Sequence, residues 1–154
     1  MKNILVVSDL HYEKVNIQKI MPKIAEADMI VFCGDGYDSF VEKTKAVAGK
    51  VFAVKGNCDT FSNVEDLILQ VENLKILVTH GHKHGVKSGL FNLRDACLQA
   101  GASVAFFGHT HYATEVCDGG VKMINPGAIS DTFEPTYYFC TVSGDKLFGK
   151  HVEV

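Results

Sequence analysis

A chain of 154 residues is the size of one ordinary domain and can bury a hydrophobic core without disulfides. The net charge of −3, without any block of lysine or arginine, excludes the electrostatic footprint needed to hold a long nucleic-acid backbone, so we expect no stable nucleic-acid complex. Hydrophobic residues at 47% and charged residues at 21% exclude a disordered or fibrous chain, and the five widely spaced cysteines are typical of reduced, mostly buried thiols.

Strands and helices alternate in the first third of the chain. Three short apolar runs predict strands at Ile4 to Val7, Ile30 to Cys33 and Val51 to Val54. Apolar residues at helical spacing predict a helix over residues 17–27, which Pro22 kinks or starts. A second helix is predicted from Phe40 to Ala48, with Gly49 as its stop. This order predicts a parallel sheet with crossover helices.

The remainder of the chain is predicted to be rich in β-hairpins. Turn residues separate three pairs of strands, which are Leu67 to Val71 with Leu74 to Thr79, Val116-Cys117 with Val121 to Ile124, and Tyr137 to Val142 with Lys146 to Val154. One helix is predicted to begin near Ser88 as N-cap and to end at Gly101, followed by a strand from Val104 to Phe107. The chain therefore begins as α/β and ends β-rich.

No repeat, linker or low-complexity segment divides the sequence, so we predict one domain over residues 1–154. The apolar run before Ser8 is only four residues long, which is too short for a signal peptide or a membrane span. We therefore expect a cytoplasmic protein that contacts no membrane.

Polar side chains follow five of the predicted strands at the point where each strand ends. These clusters are Asp9 with His11, Asp35, Asn57 with Asp59, His80 with His82, and His109 with His111. Ligands bind beyond the carboxyl ends of the strands in a sheet of this kind, so clusters that are distant in sequence can converge at one rim. We expect one site there.

Each cluster taken alone also has a simpler interpretation. An isolated Asp-x-His is more often a solvated aspartate with a loop histidine, and Gly-Asp-Gly around Asp35 is a common turn. Asn57 could occupy a left-handed turn position, and a loop with several histidines is often only solvated. Two histidine pairs beside two acidic turns nevertheless favour a metal site of nitrogen and oxygen donors, in which Asp35 can offer one oxygen to each of two ions.

The donor types restrict the metal. No cysteine has ligand-like spacing, which favours manganese, iron, zinc, cobalt or nickel over a structural zinc held by thiolates. Cys58 is not predicted to be a nucleophile, because nothing beside it in the sequence would lower the pKa of its thiol.

Five blocks in this order resemble the calcineurin-like metallophosphoesterases, in particular the small single-domain bacterial and archaeal phosphodiesterases. The blocks are Asp9-x-His11, Gly34-Asp35, Gly56-Asn57, Thr79-His80-Gly81-His82 and Gly108-His109-Thr110-His111. The resemblance implies an αββα sandwich, in which two β-sheets pack face to face with helices outside. It covers nearly the whole chain.

The resemblance also implies a dinuclear centre and a phosphodiesterase activity on small phosphate esters. One ion would be held by Asp9, His11, Asp35 and His111, and the other by Asp35, Asn57, His80 and His109. Manganese is the first choice for both ions, with nickel, cobalt, zinc or iron as alternatives. A hydroxide bridging the ions would attack phosphorus in line while Asn57 stabilises charge on the phosphate, and His82 would be the proton donor to the leaving group.

Three positions depart from the pattern of the family. Cys58 stands where many relatives have a histidine that contacts phosphate, Ala128 stands where a serine is common, and the lone arginine, Arg94, lies in a predicted helix. Leaving-group protonation would therefore need another residue such as His82, and we expect no bidentate arginine clamp on the phosphate.

The same superfamily includes a retromer subunit that serves chiefly as a scaffold, so a non-catalytic metal-binding or protein-interaction module is the alternative. Substrate specificity would come from loops such as Phe61 to Glu65 and Lys83 to Gly89. A homo-oligomer stays open.

Overall fold

The computed structural model describes residues 1–60 and 64–154, so Phe61 to Asn63 of the first proposed specificity loop lie outside the described residues. In chain order the strands of the described part are β1 (Lys2–Val7), β2 (Met29–Phe32), β3 (Val51–Ala53), β4 (Asp66–Val71), β5 (Leu74–Thr79), β6 (Val104–Phe106), β7 (Thr114–Asp118), β8 (Val121–Asn125), β9 (Thr136–Ser143) and β10 (Lys146–Glu153). The helices are α1 (Val15–Glu26), α2 (Tyr37–Lys43) and α3 (Phe91–Ala100).

These strands form two five-stranded sheets. The first has the order β10-β9-β1-β2-β3, in which β1, β2 and β3 are parallel and the hairpin β9–β10 adds antiparallel to β1. The second has the order β4-β5-β6-β8-β7, with β5, β6 and β8 parallel and the edge strands antiparallel. The predicted parallel start, the three hairpins and the αββα sandwich are confirmed.

The sandwich has three apolar layers. Ile4 and Val6 of β1 pack between the two sheets, whereas Leu5 and Val7 on the opposite face of the same strand pack under α1 and α2. The third layer lies between the second sheet and α3, which buries Leu93 there. A strand buried on both faces has an unbroken apolar run, which is the pattern seen in the sequence of β1.

Two helix boundaries differ from the predictions. The helix predicted at Phe40 to Ala48 is shorter and earlier, because Thr44 leaves helical geometry with φ −104° and ψ 13° and a 3-10 turn follows at Lys45–Lys50. Ser88 is not an N-cap, since it ends a 3-10 turn, and Gly89, with a φ of 138°, and Leu90 separate it from α3.

The position of Pro22, the state of the cysteines and the length of the helices can also be compared with the predictions. Pro22 does not start α1, which begins seven residues earlier at Val15. All five cysteines are free, three of them buried, and Cys58 and Cys117 are exposed. Within residues 1–60 and 64–154, no helix is long and apolar enough to cross a membrane.

Candidate metal centre

Both sheets deliver polar side chains to one end of the sandwich. Asp9 and His11 come directly after β1, while Asp35 and Asn57 lie in the loops after β2 and β3. The second sheet adds three histidines from the loops after β5 and β6, which are His80, His109 and His111. All seven predicted ligand residues therefore lie at this end of the sandwich.

One group of donors consists of Asp9, His11 and His111, whose ligand atoms all lie within 4.8 Å of one another. His111 Nε2 is 3.2 Å from Asp9 Oδ1. His11 Nε2 is 3.4 Å from His111 Nε2 and 3.9 Å from Asp9 Oδ1. Two imidazole nitrogens and a carboxylate oxygen thus face a common point.

The second group consists of Asp35, His80 and His109, again with ligand atoms within 4.8 Å of one another. His80 Nε2 lies 3.2 Å from Asp35 Oδ2 and 3.1 Å from Asn57 Oδ1, which brings the amide oxygen to this group. Asp35 Oδ2 is also 3.9 Å from His11 Nε2. The Asp35 carboxylate therefore lies between the two groups, where a bridging ligand would stand.

Five of these seven residues have a left-handed backbone. Their φ angles are 55° at Asp9, 50° at His11, 63° at Asp35, 71° at His109 and 66° at His111. Residues other than glycine rarely adopt such angles, which cost of order 1–3 kcal/mol each and cluster at functional sites. Asn57, which could have taken a left-handed turn position, does not have a positive φ.

Two glycines allow the loops to approach the acidic residues closely. A Cβ at Gly56 would overlap Asp35 Oδ1 and lie 2.6 Å from Asp35 N. A Cβ at Gly108 would overlap Ser8 Oγ and lie 2.7 Å from Asp9 Oδ2. Any side chain at either position would push a carboxylate out of place.

Asp59 fixes the loops after β2 and β3 to each other. Its carboxylate accepts hydrogen bonds from the backbone N–H groups of four residues, which are Gly56 at 2.8 Å, Asp35 at 2.9 Å, Gly36 at 2.9 Å and Tyr37 at 3.0 Å. The sequence places Asp59 in a polar cluster but assigns it no role. Its position two residues after Asn57 was the available signal.

Hydrogen bonds also orient His80 and set the charge of its neighbour. His80 Nδ1–H donates to the Cys33 carbonyl at 2.7 Å, which leaves Nε2 directed at Asp35. Burial by itself would lower the pKa of His80, but the carboxylates of Asp35 and Asp9 outweigh it and raise the pKa above the usual value. Burial would raise the pKa of Asp35, yet His80 and the Cys58 amide hold it well below its ordinary range.

The last residue of β8, Asn125, supports the loop that carries His109 and His111. Asn125 Nδ2 donates to the Gly108 carbonyl at 3.0 Å and to Thr110 Oγ1 at 2.9 Å, and its own Oδ1 accepts from Gly127 N–H at 2.9 Å. The motif Asn125-Pro126-Gly127 can be recognised in the sequence. Its contacts with the loop that holds His109 are visible only in the folded chain.

One buried oxygen shows that these residues fit a cation. Asp9 is fully buried, and its Oδ2 accepts hydrogen bonds from Ser8 Oγ at 2.6 Å and from His109 N–H at 3.2 Å. Its Oδ1 accepts none, although His111 Nε2 is only 3.2 Å away. A buried carboxylate oxygen without a partner is costly, and the imidazole beside it is placed as a second ligand of a shared ion would be. Nitrogen and oxygen donors suit divalent transition metals.

A sequence profile of the calcineurin-like phosphoesterase superfamily domain matches residues 1–146. The chain belongs to this superfamily. A probable metallophosphoesterase of Bacillus subtilis, YsnB, is 40% identical over 129 residues, which are 82% of this chain and 75% of that protein. The phosphodiesterase YfcE of Escherichia coli K12 is 27% identical over 158 residues, covering 84% and 80% of the two chains. The chain is thus assigned to the metal-dependent phosphoesterases.

A solved structure shares this phosphoesterase fold at low sequence identity. Vacuolar Protein Sorting 29 of Cryptosporidium parvum superposes with a TM-score of 0.86 at 19% identity, over 99% of this chain and 91% of that chain. At this identity the likeness shows the fold alone.

Two further side chains of the phosphoesterase stand beside the donor groups. The ring centroid of His82 is 5.5 Å from that of His80 and 6.1 Å from that of His109, and burial and the neighbouring His80 lower the pKa of His82. The Cys58 thiol lies near His11 and Asp35, where burial and the Asp35 carboxylate raise its pKa. A raised pKa is the reverse of what a thiolate nucleophile requires.

Proposed function

We propose that residues 1–154 form one catalytic domain, a phosphodiesterase that holds two divalent metal ions and hydrolyses small phosphate esters by in-line attack of water. The observation that carries the proposal is the place of the Asp35 carboxylate, whose Oδ2 is 3.2 Å from His80 Nε2 and 3.9 Å from His11 Nε2. A carboxylate between two donor groups is how a protein keeps two dications about 3.5–4 Å apart.

The proposed division of ligands follows the two groups of donors. Asp9, His11, Asp35 and His111 would hold one ion, and Asp35, Asn57, His80 and His109 the other, with manganese as the first choice. When bound, such ions offset the negative charge of the phosphate and acidify water, which is the chemistry that hydrolysis of an ester at neutral pH requires.

The remaining steps are assigned to side chains of this chain. The exposed amide of Asn57, next to the donors, would hydrogen-bond a non-bridging phosphate oxygen. His82, on the β5 side of the centre, would protonate an alkoxide leaving group. If so, His82→Ala slows the hydrolysis of an alkyl ester much more than that of a p-nitrophenyl ester, whose leaving group needs no proton. Equal losses on both esters would remove His82 from this role.

The position of Arg94 favours diesters over monoesters. Arg94 lies in α3, where its guanidinium binds Asp118 at 2.9 Å and Asp95 at 3.2 Å. It is therefore engaged away from the centre, and no fork of arginine donors faces the phosphate to match the extra charge of a monoester dianion. The relative YfcE is a phosphodiesterase, which supports the same choice.

The direct test uses protein stripped with a chelator. Bis-p-nitrophenyl phosphate and p-nitrophenyl phosphate are assayed after addition of Mn²⁺, Ni²⁺, Co²⁺, Zn²⁺ or Mg²⁺, with Asp35→Asn as the control. We expect metal-restored turnover, faster on the diester and lost in the control, and two manganese ions per chain by elemental analysis. One ion per chain in an active enzyme would contradict the dinuclear centre.

The fold shared with Vacuolar Protein Sorting 29 keeps a scaffold function as the second candidate. Two bound ions without turnover of either ester would favour it. The presence of all seven donors at one place favours catalysis, because a scaffold does not require a complete set of ligands.

A further inference from the structure

A cavity of about 450 Å³ opens beside the candidate metal centre. The loops after β1, β2 and β3 and the start of α2 line it. His11 and Cys58, which belong to one cluster with Asp35, mark its end nearest the other proposed metal ligands. Cavities that bind small molecules measure roughly 300–1,000 Å³, so this one has room for an organic group joined to a phosphate at the centre.

Several side chains of the cavity have unused binding capacity. Tyr12, directly after His11, is 95% exposed. Among the described residues, the side chains of Tyr12, Asp38, Ser39 and Thr60 make no hydrogen bond with the protein. The carboxylate of Asp59 also lines the cavity, but it already accepts hydrogen bonds from four backbone N–H groups. The cavity therefore presents the ring and hydroxyl of Tyr12, the carboxylate of Asp38 and the hydroxyls of Ser39 and Thr60 to a ligand.

We propose that this cavity binds the organic group of the substrate, and that this group is a nucleoside, with a planar ring and neighbouring hydroxyls. The inference rests on the proposed phosphodiesterase function, since it places the phosphorus of the same ester between the two donor groups. The ring would stack on Tyr12, while Asp38 accepts hydrogen bonds from the sugar hydroxyls.

The chemistry of the lining distinguishes this group from others. A purely alkyl ester would leave Asp38, Ser39 and Thr60 without partners as it displaced water from them, which is unfavourable. A polyphosphate or a long nucleic acid would need several cations, and the lining supplies one, Lys14. An exposed aromatic side chain at the edge of a cavity is the arrangement by which proteins stack a base without reading its sequence.

The experiment compares two product-like phosphates by calorimetry on manganese-loaded protein. Adenosine 5′-monophosphate and ethyl phosphate carry the same phosphoryl group and differ in the organic part. We expect the nucleotide to bind roughly tenfold more tightly. This ratio should fall close to one in Tyr12→Ala, should persist in Tyr12→Phe, which keeps the ring, and should be reduced in Asp38→Asn.

The matched control is Tyr112→Ala. Tyr112 is 76% exposed and directly follows His111 as Tyr12 follows His11, but it does not line the cavity. The ratio of affinities should be unchanged in this variant. Equal affinities for the two phosphates, no measurable binding of either, or an equal effect of Tyr112→Ala and Tyr12→Ala would overturn the proposal. Hydrolysis of bis-p-nitrophenyl phosphate, assayed separately, shows whether the phosphodiesterase assignment fails instead.

Discussion

Asp59 holds two loops through one carboxylate, and its removal has a defined cost. In Asp59→Ala four backbone N–H groups lose their acceptor at once. Hydrogen bonds to a charged acceptor are stronger than those to a neutral one, and the four N–H groups can only partly replace Asp59 by water. We therefore expect the free energy of unfolding to fall by about 2–3 kcal/mol. Urea denaturation of the metal-free variant measures this loss.

A suitable control is Asp145→Ala, which removes an exposed acid that makes no hydrogen bond among the described residues. It should change the free energy of unfolding by less than about 0.5 kcal/mol. If Asp59→Ala costs no more than this control, the four hydrogen bonds do not hold the loops.

Gly56 controls the position of the proposed bridging ligand. A methyl group at this position would overlap Asp35 Oδ1, so in Gly56→Ala the carboxylate or the loop has to move. We expect manganese affinity to fall by roughly 10–100-fold, as for the loss of a group that orients a ligand, because Asp35 is the proposed ligand of both ions. Isothermal titration calorimetry measures it.

Gly49→Ala is the matched substitution, because a Cβ at Gly49 would meet nothing within 4 Å. Its manganese affinity should equal that of the unaltered protein. Equal affinities for the two variants would show that the loop yields without moving Asp35.

At the residue scale, the sequence was informative wherever a site residue belongs to a local block. Asp9 and His11 stand two residues apart, and His109 and His111 repeat that spacing, so both pairs are visible without a fold. The left-handed backbone of these residues and the four-bond role of Asp59 were not predicted. They depend on how three loops meet, and no short stretch of sequence encodes that meeting.

Among the elements, α1 contains the clearest local conflict. Pro22 lies inside this helix, has no N–H to donate and is exposed. We therefore expect Pro22→Ala to raise the free energy of unfolding by about 1–3 kcal/mol, since it restores a helical hydrogen bond and removes no buried contact. The shift of the urea midpoint measures this gain, with Lys19→Ala on the same exposed face as a neutral reference. A lower midpoint for Pro22→Ala would show that the proline benefits the helix entry or its packing.

The elements whose position the sequence predicted are those with one strong pattern. β1, β2 and β3 are continuous apolar runs, and each hairpin has turn residues between two strands. The beginning of α3 was wrong, because Ser88 is a good N-cap by type and yet ends a separate 3-10 turn, while Leu90 stands at the cap without a side-chain hydrogen bond. The packing of Leu93 and Cys97 on the second sheet decides where this helix lies, and that packing is tertiary.

For the whole molecule, bound metal is expected to stabilise the fold. Ions that bind the folded chain and not the unfolded one add about 2.7 kcal/mol at a concentration one hundred times the dissociation constant. For a domain of this size that corresponds to a rise in Tm of roughly 5–10 °C. Differential scanning calorimetry with manganese and with chelator measures the difference.

The Asp35→Asn variant is the control for this measurement, because it loses the carboxylate between the two donor groups. Its Tm should respond to manganese much less than that of the unaltered protein. An identical response would place the stabilising ions elsewhere on the molecule.

The architecture as a whole followed from the resemblance more than from the pattern of hydrophobic residues. A strand buried on both faces, such as β1, does not reveal which of Ile4 and Leu5 faces the other sheet and which faces a helix. That choice depends on the twist and stacking of the sheets. The order of elements predicted a parallel start followed by hairpins. The packing of two sheets face to face was implied by the resemblance.

The proposed ligands divide between the sheets in sequence order as well as in space. Asp9, His11, Asp35 and Asn57 all precede β4, and the three histidines all follow it. A chain cut before β4 would therefore yield one fragment with four of the proposed ligand residues and a second fragment with the three histidines. Neither fragment carries the full set of proposed ligands, so manganese binding would report fragment complementation, and manganese uptake during refolding would mark the moment at which the two sets of loops come together.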